Sequence, residues 1–590
     1  MFCKRTPLVL STIFIILAVT QEECARRQAS GVERLGVMPI ENLSSNAQLD
    51  WRSRAAAAVV VYDLAGAKNI FANQVDSLSG AQSMQASRLL EGYFFERNGR
   101  IGVRATLEDL GRARVAESFE MDGAASAGFL PLMNELARRL SSDARVFGTS
   151  NENAFRFYGE ALAARDSKAV EQALQQATEA DPRFAAGYVD QAKMLAQTGD
   201  RERMRQVVQA GQGARLDPID KADLEYVAAT ASGDPSDRMK ALELLTAATP
   251  ANANIFMELG GMRFARRQFQ RAAMEYRAAA HLDPNEPRTW NELGYALAWA
   301  KDLSGAREAL AQYQKLAPGD ANALDSQGEV SYLGGDFKSA DEYFERAAAK
   351  NPSELLKAAQ ARLMLGDLQG ADGLFLKHLG PGESGQIQMA QWEFLTGRGT
   401  AAVPRMEKLA AGLNGDLQSV AFSQLAIWKL EAGDRTAAAD LANQAAARAQ
   451  GPFAREMSAA CRYFASGTAP GSGTTLTDAY ALLFAKKYRE ALPLLQAIYG
   501  AINPSADGQV RTLLAWAYVE IGAIDQATPL LDLYPLPLSS GNPLFASLVF
   551  PRYLFLRGVV LEKAGKRDEA RKSFELYSKY GGREQYSTTK

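Results

Sequence analysis

Between residues 252 and 352, small, apolar and polar residues return to the same places every 34 positions. Gly260, Gly294 and Gly328 form one column, and Ala272, Ala306 and Ala340 a second. Tyr276, Leu310 and Phe344 form a third, and Pro284, Pro318 and Pro352 a fourth. The spacing predicts two antiparallel helices per unit. The glycine lets the helices approach closely, the alanine packs where they cross, and the proline opens the next unit after a short turn. From about residue 151 the chain reads as helical to near its end. Asn151–Pro182 is already repeat-like, with Gly159, Leu174, Ala177 and an Asp181-Pro182 turn. A second string marks the turn inside a unit and the start of its second helix. It appears as GDFKSA from Gly335, GDLQGA from Gly366, GDRTAA from Gly433 and GKRDEA from Gly565, with weaker copies at Gly199, Gly397 and Gly522.

Residues 33–147 follow a different pattern. RLGVMPIENLS reads as a buried strand entering a turn, and Leu49–Leu64 as an Ala-rich helix. The stretch LLEGYFFERNGRIGVRATLEDLGRARVAESFEMDG alternates apolar and polar residues in strand fashion, and Asn98-Gly99 is its hairpin signal. A second turn near Gly111 completes a three-stranded meander, and an amphipathic helix over Ser126–Leu140 closes a compact α/β module. Two segments interrupt the helical part. Residues 466–475, SGTAPGSGTT, predict a flexible loop, and the proline-rich stretch Leu533–Pro551 predicts a break in regular helix.

A small residue, Ala, a large apolar residue and Pro in these columns resemble the tetratricopeptide repeat. The resemblance runs over residues 151–580, about ten to twelve units, and is sharpest over 252–352. It implies a mainly α fold, a right-handed solenoid of helical hairpins preceded by a small α/β domain. The order of elements in 33–147 resembles the amino-terminal module of TolB-type bacterial envelope proteins. That likeness rests on pattern and carries no reactive residues.

The chain has 590 residues, too many for one compact core. It is 47% hydrophobic and 23% charged with a formal net charge of −2, so no global charge favours nucleic acid or an anionic membrane. Residues 1–20 carry Lys4 and Arg5 ahead of an apolar run ending at Thr20, which predicts a signal peptide or signal anchor. Residues 21–32 read as a flexible lead-in containing Cys24, whose lipidation the preceding Glu22 and Glu23 argue against. Residues 581–590 read as a polar tail. The chain is expected to be bacterial and extracytoplasmic, with a possible membrane tether through its N-terminal segment.

Candidate chemistry is sparse. His281 and His378 are the two histidines, which leaves almost no material for a histidine metal site. Cys461, within AACRYF, reads as a buried apolar residue. GPGESG at 380–385 has the spacing of a dinucleotide loop but no preceding strand, so it reads as an inter-repeat turn. No enzyme, cofactor or metal is expected. The tetratricopeptide resemblance implies a partner-binding groove along the first helices, lined by Asn254, Met257, Asn291, Tyr295, Trp299, Asp325, Glu329 and Tyr332. Amides, aromatic plates and carboxylates there suit an extended protein or peptide partner with basic residues. The alternative for Tyr295 and Trp299 is packing between helices. Members that clamp a C-terminal carboxylate use Lys where Met257, Asn291 and Asp325 stand here, so that clamp is not expected. A competing reading is a membrane-anchored sensor, its α/β module binding a ligand whose presence the repeats relay.

Overall fold

A computed structural model describes residues 32–580 apart from 215, 469–474 and 536–542. The N-terminal apolar segment, nearly all of the lead-in, most of the Gly/Ser/Thr loop and the polar tail therefore lie outside the described residues. The chain forms two compact units. One contains the residues up to Met262 with Met274–Thr289, and the other Arg263–Ala273 with the residues from Trp290 on.

The first unit opens with a six-stranded sheet in the order β3-β1-β4-β5-β6, with β2 pairing β4. The strands are β1 (Glu33–Val37), β2 (Glu41–Asn42), β3 (Ile70–Gln74), β4 (Arg88–Arg97), β5 (Arg100–Asp109) and β6 (Arg114–Ala124). β4, β5 and β6 form an antiparallel meander. Asn98 and Gly99 both take positive φ (52° and 69°) in the two-residue turn between β4 and β5, the conformation that matches strand twist. β1 lies parallel between β3 and β4, which requires a crossover, and α1 (Trp51–Leu64) supplies it. β3, with the short sequence IFANQ, and the helix α2 (Leu78–Ser83) have no counterpart in the sequence reading. Polar residues in so short a strand leave no alternating stripe to detect. α3 (Leu130–Leu140) covers the sheet's inner face with Leu132, Met133 and Leu136.

α1 is buried on two sides, which explains its run of Ala55–Ala58, Val59 and Val60. One side meets the sheet. The other meets the first helical hairpin, where a Cβ on Gly159 would collide with the Trp51 ring. A single hydrophobic cluster accordingly runs from Leu35 through Phe155 to Ala186, across the end of the α/β part.

The remaining elements are helical hairpins, a solenoid of the tetratricopeptide type. Each carries a buried small residue on its first helix, with partners twelve and sixteen residues later on the second. Among the described residues this triplet occurs twelve times. It appears as Ala161/Ala173/Ala177, Ala192/Met204/Val208 and Ala229/Ala241/Leu245, then as the three Gly/Ala/large-apolar sets from Gly260, Gly294 and Gly328. It continues as Ala359/Ala371/Phe375, Ala390/Ala402/Met406, Ala426/Ala438/Ala442, Ala479/Ala491/Leu495 and Ala515/Ala527/Leu531, and ends with Gly558/Ala570/Phe574. The small residue is needed because the third member lies directly against it. A Cβ on Gly260 would sit 2.8 Å from the Tyr276 ring, and one on Gly328 would sit 2.5 Å from Phe344. Pro284 and Pro318 lie within the turns ahead of the helices Pro287–Trp299 and Ala321–Leu333, and Pro352 opens a short 3-10 turn.

Two segments depart from regular stacking. The helix Pro452–Ser466 belongs to no triplet and is inserted between two hairpins. The helix Pro543–Lys563 contains Pro551, so the break expected across Leu533–Pro551 does not extend over 543–551, while 536–542 lie outside the described residues. An interior proline removes one backbone hydrogen bond and costs about 3 kcal/mol. Phe550, Tyr553, Leu554 and Leu556 of this helix are all buried, and at roughly 1.5–3 kcal/mol for each large apolar side chain their burial outweighs that cost.

Candidate functional site

The first helices of successive hairpins in the second unit bring a charged cluster together. Asp325 and Glu329, one turn apart on Ala321–Leu333, both reach Lys357 on the next first helix, Leu355–Met364. Lys357 Nζ lies 2.6 Å from Asp325, 2.9 Å from Glu329 and 3.1 Å from Glu354. From the other side the Tyr295 hydroxyl donates to Glu329 Oε2 at 2.7 Å. Three carboxylates thus surround one ammonium, and all four side chains are largely withdrawn from water.

Burial and the Glu329 carboxylate push the Asp325 carboxyl up, against the opposing pull of Lys357. Burial alone would lower Lys357, but Glu329 and Asp325 outweigh it and raise the ammonium above its ordinary value. Burial, then Glu329, raises the Tyr295 hydroxyl well above the usual range, so it stays protonated and donates. The cluster holds an excess of negative charge beside a hydrogen-bond donor. Such an arrangement is electrostatically complementary to a cationic group.

The aromatic positions are placed differently. Trp299 is buried, stacks on Phe269 with ring centroids 5.7 Å apart, and has the Arg511 guanidinium 5.1 Å from its ring. Tyr332 is also buried and meets Phe337 edge-on at 5.1 Å. These two are packing residues and present no free aromatic plate, which corrects the groove expected from sequence. Asn291 is half-buried, and its Oδ1 has no hydrogen-bond partner. Asn254 and Met257 lie on Ala253–Ala265, in the portion that belongs to the first unit.

Lys357 and Glu354 were not legible as site residues. The cross-helix pairs Tyr158–Asp190, Tyr226–Glu258 and Asp325–Lys357 are each 32 residues apart, and that step is the signal that finds Lys357. Elsewhere, the Cys461 thiol is pushed up to about 12 by burial, the opposite of activation. His378 ends the helix Leu368–His378; Gly380 and Gly382 lie at the turn before Glu383–Leu395, and Gly385 lies inside that helix. Among the described residues no group of three His, Cys, Asp or Glu side chains is arranged to hold a metal ion, and no helix is long and apolar enough to cross a membrane.

No family model matches the chain, and no curated protein matches it. Solved structures of similar architecture include YrrB, described as a TPR protein with an unusual peptide-binding site. It is 22% identical over 31% of this chain and 94% of its own, with a TM-score of 0.28. PilW, a type IV pilus biogenesis factor, is 16% identical over 34% of this chain and 92% of its own, with a TM-score of 0.27. A tetratricopeptide repeat protein from Parabacteroides merdae is 11% identical over 47% and 98%, with a TM-score of 0.29.

Proposed function

We propose that the chain is a non-enzymatic scaffold that binds a protein or peptide partner along the first-helix face of its second unit. The anchor is the Asp325–Glu329–Glu354 cluster, which takes a basic side chain. The observation that carries this reading is the surplus of carboxylate over cation around Lys357, with the Tyr295 hydroxyl held as a donor beside it. A surface salt bridge needs no such surplus, and burial strengthens the attraction for an incoming cation.

The reading also takes the chain to act in the bacterial envelope, supported by Lys4, Arg5 and the apolar run ending at Thr20. The TolB-like α/β module then serves to cover the first hairpin, as the Trp51 contact with Gly159 suggests. Sequencing the mature N-terminus from the native host tests the location.

Binding is tested with fluorescent decapeptides of basic, neutral and acidic composition, followed by anisotropy on the full chain. Basic peptides are expected to bind, and Glu329→Gln to weaken them about tenfold, the scale of one charge-assisted contact. The peptide affinity should also fall on acidification, because Asp325 takes up its proton more readily than an ordinary carboxyl. Equal affinity for acidic and basic peptides, or no effect of Glu329→Gln, would sink the proposal.

A further inference from the structure

The turns inside the first hairpins of the second unit need a left-handed residue, and glycine normally supplies it. Gly335 (φ 82°) and Gly366 (φ 80°) follow that rule, as do Gly397, Gly433, Gly522 and Gly565. Arg267 (φ 60°) and Lys301 (φ 68°) hold the same turn position with side chains that the conformation disfavours. Both reach far along the chain. Arg267 bonds Asp507 at 2.6 Å and the Tyr499 carbonyl at 2.7 Å, with its guanidinium 3.6 Å from the centre of the Tyr499 ring. Lys301 pairs with Asp532.

The next two turns are also occupied. The Tyr534 ring lies over Gly335, where a Cβ would come within 3.0 Å of it, and Tyr534 N donates to the Leu333 carbonyl. Lys579 donates to the Gly366 carbonyl, and the Tyr580 hydroxyl to that of Leu363. Four consecutive turns thus receive four successive points of the C-terminal hairpins. Between them, Arg511 covers Trp299, and Asp507 is fully buried beside both arginines. The helix Pro543–Lys563 packs against the first helices Glu383–Leu395 and Gly415–Glu431 as well as its neighbour Gly508–Glu520.

We propose that the second unit is a clasp. Its last hairpins fasten onto the turns of its first four, and Arg511 closes over Trp299. A partner therefore gains the first-helix face only as the clasp opens. Arg267 is the principal latch, and its unfavourable backbone conformation is retained because a glycine there holds nothing. The gating rests on the peptide-binding reading above; the clasp itself does not.

Lys486 (φ 58°) provides the control, since it is an exposed cation in the same kind of turn with no ion pair among the described residues. In the full chain, Lys486→Gly relieves the left-handed strain and is expected to hold or raise the melting temperature by roughly 1–3 °C. Arg267→Gly makes the same backbone change but should lower the melting temperature. It should also speed amide exchange over 499–511 and 290–299 at least about tenfold. Arg267→Lys retains the charge and the fold but cannot reach Asp507 and the Tyr499 carbonyl together, so its exchange should fall between. Arg267→Gly behaving like Lys486→Gly, or Arg267→Lys exchanging as the parent does, would overturn the clasp. The basic decapeptide should bind Arg267→Lys more tightly than the parent. An opened clasp with unchanged peptide affinity would overturn the gating, whereas no binding by either protein would count against the peptide groove and leave exchange to decide the clasp.

Discussion

Asp63 is fully buried at the end of α1, with neither carboxylate oxygen hydrogen-bonded. Burial pushes its carboxyl up to about 8, against Arg145 and Arg138. The unfolded chain releases this proton near pH 4, while the folded chain keeps it. Asp63 therefore costs nothing at low pH and destabilises progressively as pH rises towards 8. Asp63→Asn should raise the melting temperature at pH 8 and leave it unchanged at pH 4. The gain at pH 7 is on the order of 4 kcal/mol at most. Thermal melts across that range check the sign. At this scale the sequence exposed Tyr295, Asp325 and Glu329 because they ride on a regular grid. It hid Lys357 because the following hairpin is shorter. A 34-residue step from Asp325 lands on Ala359, two residues past the lysine. Asp507 and Arg511 left no trace, since nothing local distinguishes them from other helix residues.

Within a hairpin the triplet spacing is invariant, whereas the distance between hairpins varies. That difference is physical. Helix crossing fixes which side chains meet inside a hairpin, but the connection to the next one tolerates extra turns, or a whole helix such as Pro452–Ser466. The Gly column was visible only where glycine fills it. Alanine serves at Ala359, Ala390, Ala426, Ala479 and Ala515, where the residue sixteen positions on leaves room for a methyl group. Gly328 has no such room. Gly328→Ala would push a methyl group into the Phe344 ring, and the expected loss is roughly 1–3 kcal/mol, the scale of core overpacking. Denaturant titration measures it, and pairing the change with Phe344→Leu should recover part of the loss. The final hairpin of Gly558, Ala570 and Phe574 shows the same contact at 2.5 Å and should respond in the same way.

Across the whole chain, two compact units imply two unfolding events. Calorimetry at pH 8 should show Asp63→Asn moving one transition and Gly328→Ala the other, and a single transition displaced by both would show that the units melt together. The sequence outlined the strand-rich beginning and the helical remainder. It did not show that α1 and the first hairpin share one hydrophobic cluster, because burial on two sides looks in sequence like a run of alanines and valines. A solenoid built only of neighbouring contacts can fold from any hairpin outward. The clasp changes that order. Its ties join residues 240, 231 and 217 positions apart, so the second unit cannot be completed until its last hairpins have left the ribosome. Closing such long loops slows folding, and the chain remains extensible for most of its synthesis.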